Sequence, residues 1–145
     1  MTSNQFRINI SPPNLMNICV DSKANGEICG RVYHCYAENA IPFTSVVELI
    51  NIADKLFDDI QYPQASTKTR TFEEKQEIRT SAALEKKVSQ QDLIQHRGEK
   101  GTFILHVKFR QKSTWQGELS WMEKEERFEF VDSFEVIKMI DQVVV

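Results

Sequence analysis

Apolar and polar residues alternate along several short segments of this chain. In residues 103–109, FILHVKF, the apolar side chains of Phe103, Leu105, Val107 and Phe109 occupy every second position. That period is typical of a β-strand with one buried face, so we expect these four side chains to lie in the core. The other segments with a strand-like pattern are residues 16–21, 27–36, 41–43, 115–121 and 127–130.

Two further segments have the spacing of amphipathic helices. Ser45 precedes one and Asp132 precedes the other, and both residue types cap helix N-termini. A glutamate follows three residues later in each case, Glu48 and Glu135, which predicts a capping role for it rather than a catalytic one. The apolar stripes predicted to face the core are Val47, Ile50, Ala53, Phe57 and Ile60 in the first helix, and Phe134, Ile137, Ile140 and Val144 in the second.

This order of strands and helix occurs twice. Residues 16–55 align without gaps with residues 103–142, and seven of the 40 aligned positions are identical. Ordinary composition would give about two or three identities. We therefore predict a single α+β domain over residues 1–145, built from a duplicated β-β-β-α unit with copies at about 16–60 and 103–145. Two helices would pack on a mainly antiparallel sheet, either open or closed into a partial barrel.

Residues 61–100 separate the two copies. A Pro63-containing loop is followed by good helix formers from Phe72 to Val88, and Ser89 can cap a second short helix. We expect a helical insertion here. The pattern leaves open whether it carries function or only connects the copies.

Composition narrows the classes of function. The net charge is −3 and the isoelectric point is about 5.7, which argues against a protein that coats nucleic acid. The N-terminal residues lack a cationic start followed by an apolar run, and no apolar run is long enough to span a bilayer. Three cysteines, an odd number, suit a reducing compartment. The expected location is the cytoplasm, without membrane association.

Basic residues recur at positions predicted to point away from the helices. If Phe103 to Phe109 face the core, then His106, Lys108 and Arg110 face outward, because strand side chains alternate. Arg31 and Tyr33 take the same face in the first copy. Such a stripe can bind a phosphate or a nucleic acid. The alternative is that its cations pair across the strands with Glu118 and with Asp21 or Glu27.

A second candidate anion site is the segment STKTRT. Lys68 and Arg70 lie there among four hydroxyl residues, although the glycines of a phosphate-binding loop are missing. Cys19, Cys29 and Cys35 are zinc-capable ligand types, but they lack CxxC spacing. We therefore predict no metal site and no cofactor, and the chain contains no recognisable catalytic motif.

The C-terminal run STWQGELSWMEKEERFEFVDSFEVIKMID resembles the signature of a family of small proteins from anaerobic gut bacteria, for which no activity is known. The matching residues are Thr114, Trp115, Gln116, Gly117, Trp121, Phe130, Glu135 and Asp141. The resemblance implies a bacterial cytosolic protein and transfers no functional residue.

Three functions remain open from the sequence. The leading hypothesis is a non-enzymatic interaction or regulatory module that binds an unknown protein partner or a second copy of itself. The second is binding of a nucleotide or nucleic acid through the basic outer face of the sheet. The third is a small enzyme without a readable motif.

Overall fold

The computed structural model describes residues 7–62, 85–111 and 114–144. These residues form an α+β fold with one open, six-stranded antiparallel sheet in the order β3-β2-β1-β4-β5-β6. The strands are β1 (Met16–Ala24), β2 (Glu27–His34), β3 (Ile41–Phe43), β4 (Gly101–Phe109), β5 (Gln116–Trp121) and β6 (Glu126–Phe130), and the helices are α1 (Val46–Ile60), the short α2 (Gln90–Leu93) and α3 (Ser133–Val143).

The main hydrophobic core lies between α1, α3 and one face of the sheet, which we call the inner face. Each strand contributes alternate side chains to this core, as the period-two pattern predicts. Fully buried members include Ile18, Val32, Phe57, Leu105 and Leu119. The opposite face of the sheet, the outer face, carries a smaller apolar cluster centred on Leu15, Cys35, Leu93 and Ile104.

Residues 16–60, the first half, and residues 103–144, the second half, have the same strand register. In the first half Met16 pairs with His34 and Val20 pairs with Gly30. The corresponding pairs 87 residues later, Phe103 with Trp121 and Val107 with Gly117, occur in the second half. The β2–β3 and β5–β6 pairings correspond in the same way.

The two halves meet through β1 and β4. Asn17 pairs with Ile104, the residue 87 positions further along, and on either side Met16 pairs with Leu105 and Ile18 with Phe103. This reciprocal pairing is that of a two-fold axis through the Asn17–Ile104 pair. One antiparallel sheet and one core therefore run through both halves.

Each half also carries a β-bulge at the same place. The register shifts between Val20 and Ser22 in β1, and between Val107 and Phe109 in β4. A bulge adds one residue to a strand and reverses the alternation of side chains beyond it. The extra residue is Asp21 in the first half and Lys108 in the second.

The bulge in β4 overturns one expectation from the sequence. Phe109, expected in the core, is 57% exposed. Arg110, expected to face outward, is only 8% exposed, and its Nη1 lies 2.8 Å from Asp58 Oδ1 of α1. An alternation of period two is valid only within an uninterrupted ladder, and here it ends at Val107.

The predicted helix caps are confirmed in both halves. Ser45 Oγ accepts a hydrogen bond from Glu48 N, and Asp132 Oδ1 accepts one from Glu135 N. Each glutamate reaches back in turn, because Glu48 Oε1 accepts from Thr44 N and Glu135 Oε1 accepts from the equivalent backbone N–H at position 131. These carboxylates satisfy backbone donors that the first turn leaves free.

The predicted helix stripes were partly wrong in phase. Val47 is 63% exposed and Phe134 is 67% exposed, whereas the buried side chains are Leu49, Ala53, Leu56 and Phe57 in α1 and Val136 and Ile140 in α3. At about 100° per residue, Val47 and Leu49 point about 200° apart around the helix. In α1, the face that contains Val47 and the face that contains Leu49 both carry apolar residues. The face that contains Leu49 is the one that packs on the sheet.

Each helix is held by residues from the other half. Asp54 of α1 accepts a hydrogen bond from Trp115 Nε1 at 2.8 Å, and the Trp115 ring meets Phe57 edge to face, with ring centroids 5.8 Å apart. On the other side of the two-fold axis, Lys23 Nζ of β1 lies 3.0 Å from Asp141 Oδ1 of α3. The halves therefore interlock through their helices as well as through the central strands.

Most of the predicted helical insertion, residues 63–84, lies outside the described residues, and so do Lys68 and Arg70. Its described C-terminal part contains α2, which Ser89 caps through Oγ and Asp92 N as the sequence predicts. In the part of the chain that the structure describes, no helix has the length and apolarity needed to cross a membrane.

The two caps offer a matched test. We expect Ser45→Ala and Asp132→Ala each to lower the free energy of unfolding by about 1 kcal/mol, because each leaves a first-turn N–H without its acceptor. Urea unfolding followed by circular dichroism measures the change. Asn51→Ala, at an exposed position within α1, is the control and should change stability by less than about 0.5 kcal/mol. Equal effects of all three variants would contradict a capping role.

The two equivalent glycines should be intolerant of a side chain. A Cβ on Gly30 would lie 1.9 Å from Cys19 O, and one on Gly117 would lie 2.1 Å from His106 O. Because backbone must move to relieve such contacts, Gly30→Ala and Gly117→Ala should each cost about 3 kcal/mol or more. Thermal and urea unfolding test this against Ser22→Ala, an exposed position in β1. Stabilities within about 1 kcal/mol of the unsubstituted protein would contradict it.

Candidate functional site

The outer face of the first half is covered by residues 93–99, which we call the linker arm. Asn17, which is fully buried, holds this arm in place. Its Nδ2 donates to Leu93 O at 2.9 Å and to His96 O at 3.1 Å. A buried amide that satisfies two backbone carbonyls fixes the arm to the centre of the sheet.

An ion pair on β1 and β2 continues this attachment. Arg31 contacts Asp21 through two nitrogens, Nε to Oδ2 at 2.8 Å and Nη2 to Oδ1 at 3.1 Å. Arg31 Nη2 also donates to Arg97 O at 2.9 Å, and Asp21 Oδ1 accepts from Glu99 N at 3.0 Å. The hydrogen bond from Arg31 lowers the pKa of Asp21, and the same bond raises the pKa of Arg31.

Tyr33 completes the contact with the linker arm. Its ring is stacked on His96, with centroids 3.7 Å apart and planes within 1°, and its hydroxyl accepts a hydrogen bond from Arg31 Nη1 at 2.7 Å. Arg31 and Tyr33, two predicted ligand-binding residues, therefore lie close together. Both are engaged by the chain's own linker arm.

Counting only the described residues, the outer face of the second half is covered less completely. Residues 7–11, which we call the N-terminal arm, lie over it, with Ile8 and Ile10 packed against the outer apolar cluster. Arg127 Nη2 donates to Arg7 O. A cavity of about 290 Å³ remains between this arm and strands β4 to β6. We call it the outer pocket, and its lining residues are Arg7, Ile8, Asn9, Leu15, Ile104, His106, Lys108, Glu118, Ser120 and Arg127.

The outer pocket carries an excess of positive charge. Among the described residues that line it are three cations, Arg7, Lys108 and Arg127, and one carboxylate, Glu118, so these residues sum to a charge of +2 with His106 neutral. Lys108 Nζ lies 3.2 Å from Glu118 Oε2, and Arg127 Nε lies 4.0 Å from Glu118 Oε1. A single carboxylate thus contacts two cations of the lining.

His106 adds a neutral polar group to the pocket wall. Burial lowers its pKa below the ordinary value, the Lys108 ammonium lowers it further, and the Glu118 carboxylate acts in the opposite direction. His106 is therefore uncharged near pH 7. A neutral imidazole presents one hydrogen-bond donor and one acceptor to a ligand.

The structure separates the residues that the sequence grouped as one basic stripe. His106 and Lys108 line the outer pocket. Arg31 and Tyr33 lie under the linker arm, while Arg110 lies on the inner face against α1. The cross-strand alternative is realised in two pairs, Arg31 with Asp21 and Lys108 with Glu118.

The sequence pattern did not single out Arg7 or Arg127 as members of a site. Arg127 faces the pocket because β6 pairs with β5 in a register that sets Arg127 opposite Ser120. That register is readable from the hairpin once its turn at 122–125 is placed. Arg7 carries no comparable signal, since its position depends on how the N-terminal arm lies across the sheet.

The two outer faces differ at equivalent positions. Asp21 and Arg31 of the first half correspond to Lys108 and Glu118 of the second, so the ion pair is kept with its charges exchanged. Tyr33 pairs with Asn17, and its counterpart Ser120 pairs with Ile104. The first half is therefore closed by an aromatic contact at the place where the second half has a small hydroxyl.

The other candidate chemical groups lie elsewhere. Cys19 is buried beneath the linker arm, and burial raises the pKa of its thiol to about 11, which keeps it protonated. His34 accepts a hydrogen bond from Tyr36 N at its Nδ1, and burial lowers its pKa to about 4. Among residues 7–62, 85–111 and 114–144, no three His, Cys, Asp or Glu side chains are grouped so as to hold a metal ion.

Comparison of this chain with protein-family models, with curated proteins and with solved structures finds no match. The function must therefore be inferred from the geometry of the outer face.

The depressed pKa of His34 predicts an acid-sensitive fold. Between about pH 6.5 and pH 4 the unfolded chain binds a proton at His34 that the folded chain does not, so stability falls as the pH is lowered through this range. The loss should reach about 3 kcal/mol near pH 4. Asp21, whose pKa is also lowered, adds to this loss of stability only when the pH falls below its ordinary pKa of 3.8.

Urea unfolding at several pH values tests this contribution. His34→Asn keeps an acceptor near Nδ1 for Tyr36 N but cannot bind a proton, so the variant should lose less stability than the unsubstituted protein between pH 6.5 and pH 4. The comparison uses the change in the free energy of unfolding with pH, because the effect of the smaller side chain on packing is the same at every pH and cancels. Identical slopes would show that His34 does not titrate as the structure requires.

Proposed function

We propose that this protein is a non-enzymatic binding module whose ligand is a small anion held in the outer pocket. The observation that carries the proposal is a cavity of about 290 Å³ whose described lining residues include three cations, one carboxylate and three apolar side chains. Small-molecule sites combine an apolar surface with a few convergent polar groups. Lys108 and Arg127 at the rim are suited to bind the charged group of such a ligand.

The placement of the most perturbed groups supports a binding role over a catalytic one. The protonated thiol of Cys19 is covered by the linker arm, and neither Cys19 nor His34 lines the outer pocket. Within the pocket, His106 is neutral and Glu118 is occupied by two cations. A binding site needs only these fixed charges and donors.

The shared register supports a further part of the proposal, that the two halves descend from one duplicated β-β-β-α unit with residues 61–100 inserted between the copies. The identical pairings 87 residues apart and the identical cap geometry favour this origin. Duplication would leave one outer face closed by the linker arm and the other available to a ligand. The resemblance to small bacterial proteins favours a bacterial cytoplasmic setting.

A nucleotide is the second candidate ligand, since His106 and Lys108 would contact its phosphate. The volume of the outer pocket equals that of about ten water molecules, which suits a phosphate with a small body better than a complete nucleotide. Regulation of a protein partner or of self-association by ligand binding stays a prediction from the sequence.

Titration with inorganic phosphate tests the proposed function. Followed by amide chemical shifts of the full chain, it should perturb residues of β4, β5 and β6 around the pocket and leave α1 unaffected. Lys108→Gln should weaken binding about tenfold, since it removes a charged hydrogen-bond donor. Lys55→Gln is the matched control, because Lys55 is an exposed lysine that pairs with Asp59 on α1.

Two results would contradict the proposed site. One is an unchanged affinity in Lys108→Gln, and the other is shifts spread evenly over the surface lysines. Raising the salt concentration should lower the affinity for phosphate, because the attraction is electrostatic and is screened.

A further inference from the structure

The outer pocket is lined by the sequence counterparts of two residues whose rings stack in the other half. Under the linker arm, the rings of Tyr33 and His96 lie 3.7 Å apart and parallel. The residue equivalent to Tyr33 is Ser120, which lines the outer pocket, and the residue 87 positions before His96 is Asn9, which lines it from the N-terminal arm. Both rings are thus replaced by small polar side chains.

The arms themselves correspond across the two-fold axis. The linker arm precedes β4 and lies on the outer face of β1 and β2, while the N-terminal arm precedes β1 and lies on the outer face of β4 to β6. Each arm covers the half that it does not lead into. The first half therefore shows how such a face looks when aromatic rings close it.

The floor and the rim of the outer pocket have different chemistry. Leu15 and Ile104 of the outer apolar cluster line its floor, and Ile8 lines it from the N-terminal arm. Lys108 and Arg127, gathered by Glu118, lie at the rim. A ligand that satisfies both must have an apolar body and an anionic end.

We propose that the outer pocket binds a small aromatic anion, with its ring in the space that the Tyr33–His96 stack fills in the first half. The ring packs on Ile104 and Leu15, and its phosphate or carboxylate group contacts Lys108 and Arg127. The neutral His106 supplies one further hydrogen bond. This inference rests on the proposed function, since it names the ligand class of the same pocket.

The size of the pocket agrees with this class. About 290 Å³ accommodates roughly ten water molecules, which is comparable to one six-membered ring with a single charged substituent. Filling the apolar floor removes the ring from water, and the positive rim excludes neutral and cationic analogues. The ring and the charge therefore contribute separately to selectivity.

Phenyl phosphate and methyl phosphate provide a direct comparison, because they share the charged group and differ in the ring. Isothermal titration of the full chain should give a dissociation constant about tenfold lower for phenyl phosphate, given the apolar area that a ring buries. Benzoate and acetate repeat the comparison with a carboxylate and show which charged group the rim prefers.

Ser120→Tyr restores in the second half the ring that Tyr33 provides in the first. It should remove the advantage of phenyl phosphate over methyl phosphate while the far-ultraviolet circular dichroism spectrum stays unchanged. Asn9→His, at an exposed position of the N-terminal arm, is a second variant that cannot disturb the sheet and should reduce the same advantage. Asn51→His on α1 is its control and should leave both affinities unaltered.

The outcomes separate this inference from the proposed function. Equal affinities for phenyl and methyl phosphate, both weakened in Lys108→Gln, would overturn the aromatic ligand and leave the anion site standing. Absence of binding by any of the four anions would overturn both. Preference for phenyl phosphate that persists in Ser120→Tyr and in Asn9→His would place the ring elsewhere and overturn the inference.

Discussion

The antiparallel pairing of β1 with β4 around Asn17 is the constraint on which the rest of the structure depends. It joins two three-stranded sheets into one and places α1 and α3 over a common core. The side chain of Asn17 is turned to the outer face, where it binds the carbonyls of the linker arm. The β1–β4 pairing therefore joins the two halves, and the side chain of Asn17 at its centre holds the linker arm over the first half.

The two outer faces differ in how their charged groups are paired. On the first half, the charges of Asp21 and Arg31 and the hydrogen-bonding groups of the linker arm satisfy one another, and the rings of Tyr33 and His96 are stacked. On the second half, a single carboxylate, Glu118, faces the rim cations of Lys108 and Arg127. The first face is thus closed by contacts within the chain, whereas on the second face two cations share one carboxylate.

The sequence predicted the strands and the helix caps because each depends on local spacing. Ser45 and Asp132 cap their helices as expected, since a cap needs only residues within one turn. Phe109 is exposed and Arg110 is buried, the reverse of the prediction, because a bulge at Lys108 reverses the alternation of side chains. No local sequence pattern marks this bulge. Of the residues that line the outer pocket, the sequence pattern singled out His106 and Lys108, which lie on one strand, whereas Arg7 comes from an arm whose path depends on tertiary packing.

The proposed anion site predicts a link between ligand binding and stability. An anion that binds only the folded chain raises its stability in proportion to the logarithm of the anion concentration over the dissociation constant. On the first half, the linker arm itself supplies the backbone groups that contact Arg31 and Asp21. The same sheet thus carries an intramolecular contact on one side of Asn17 and the proposed anion site on the other.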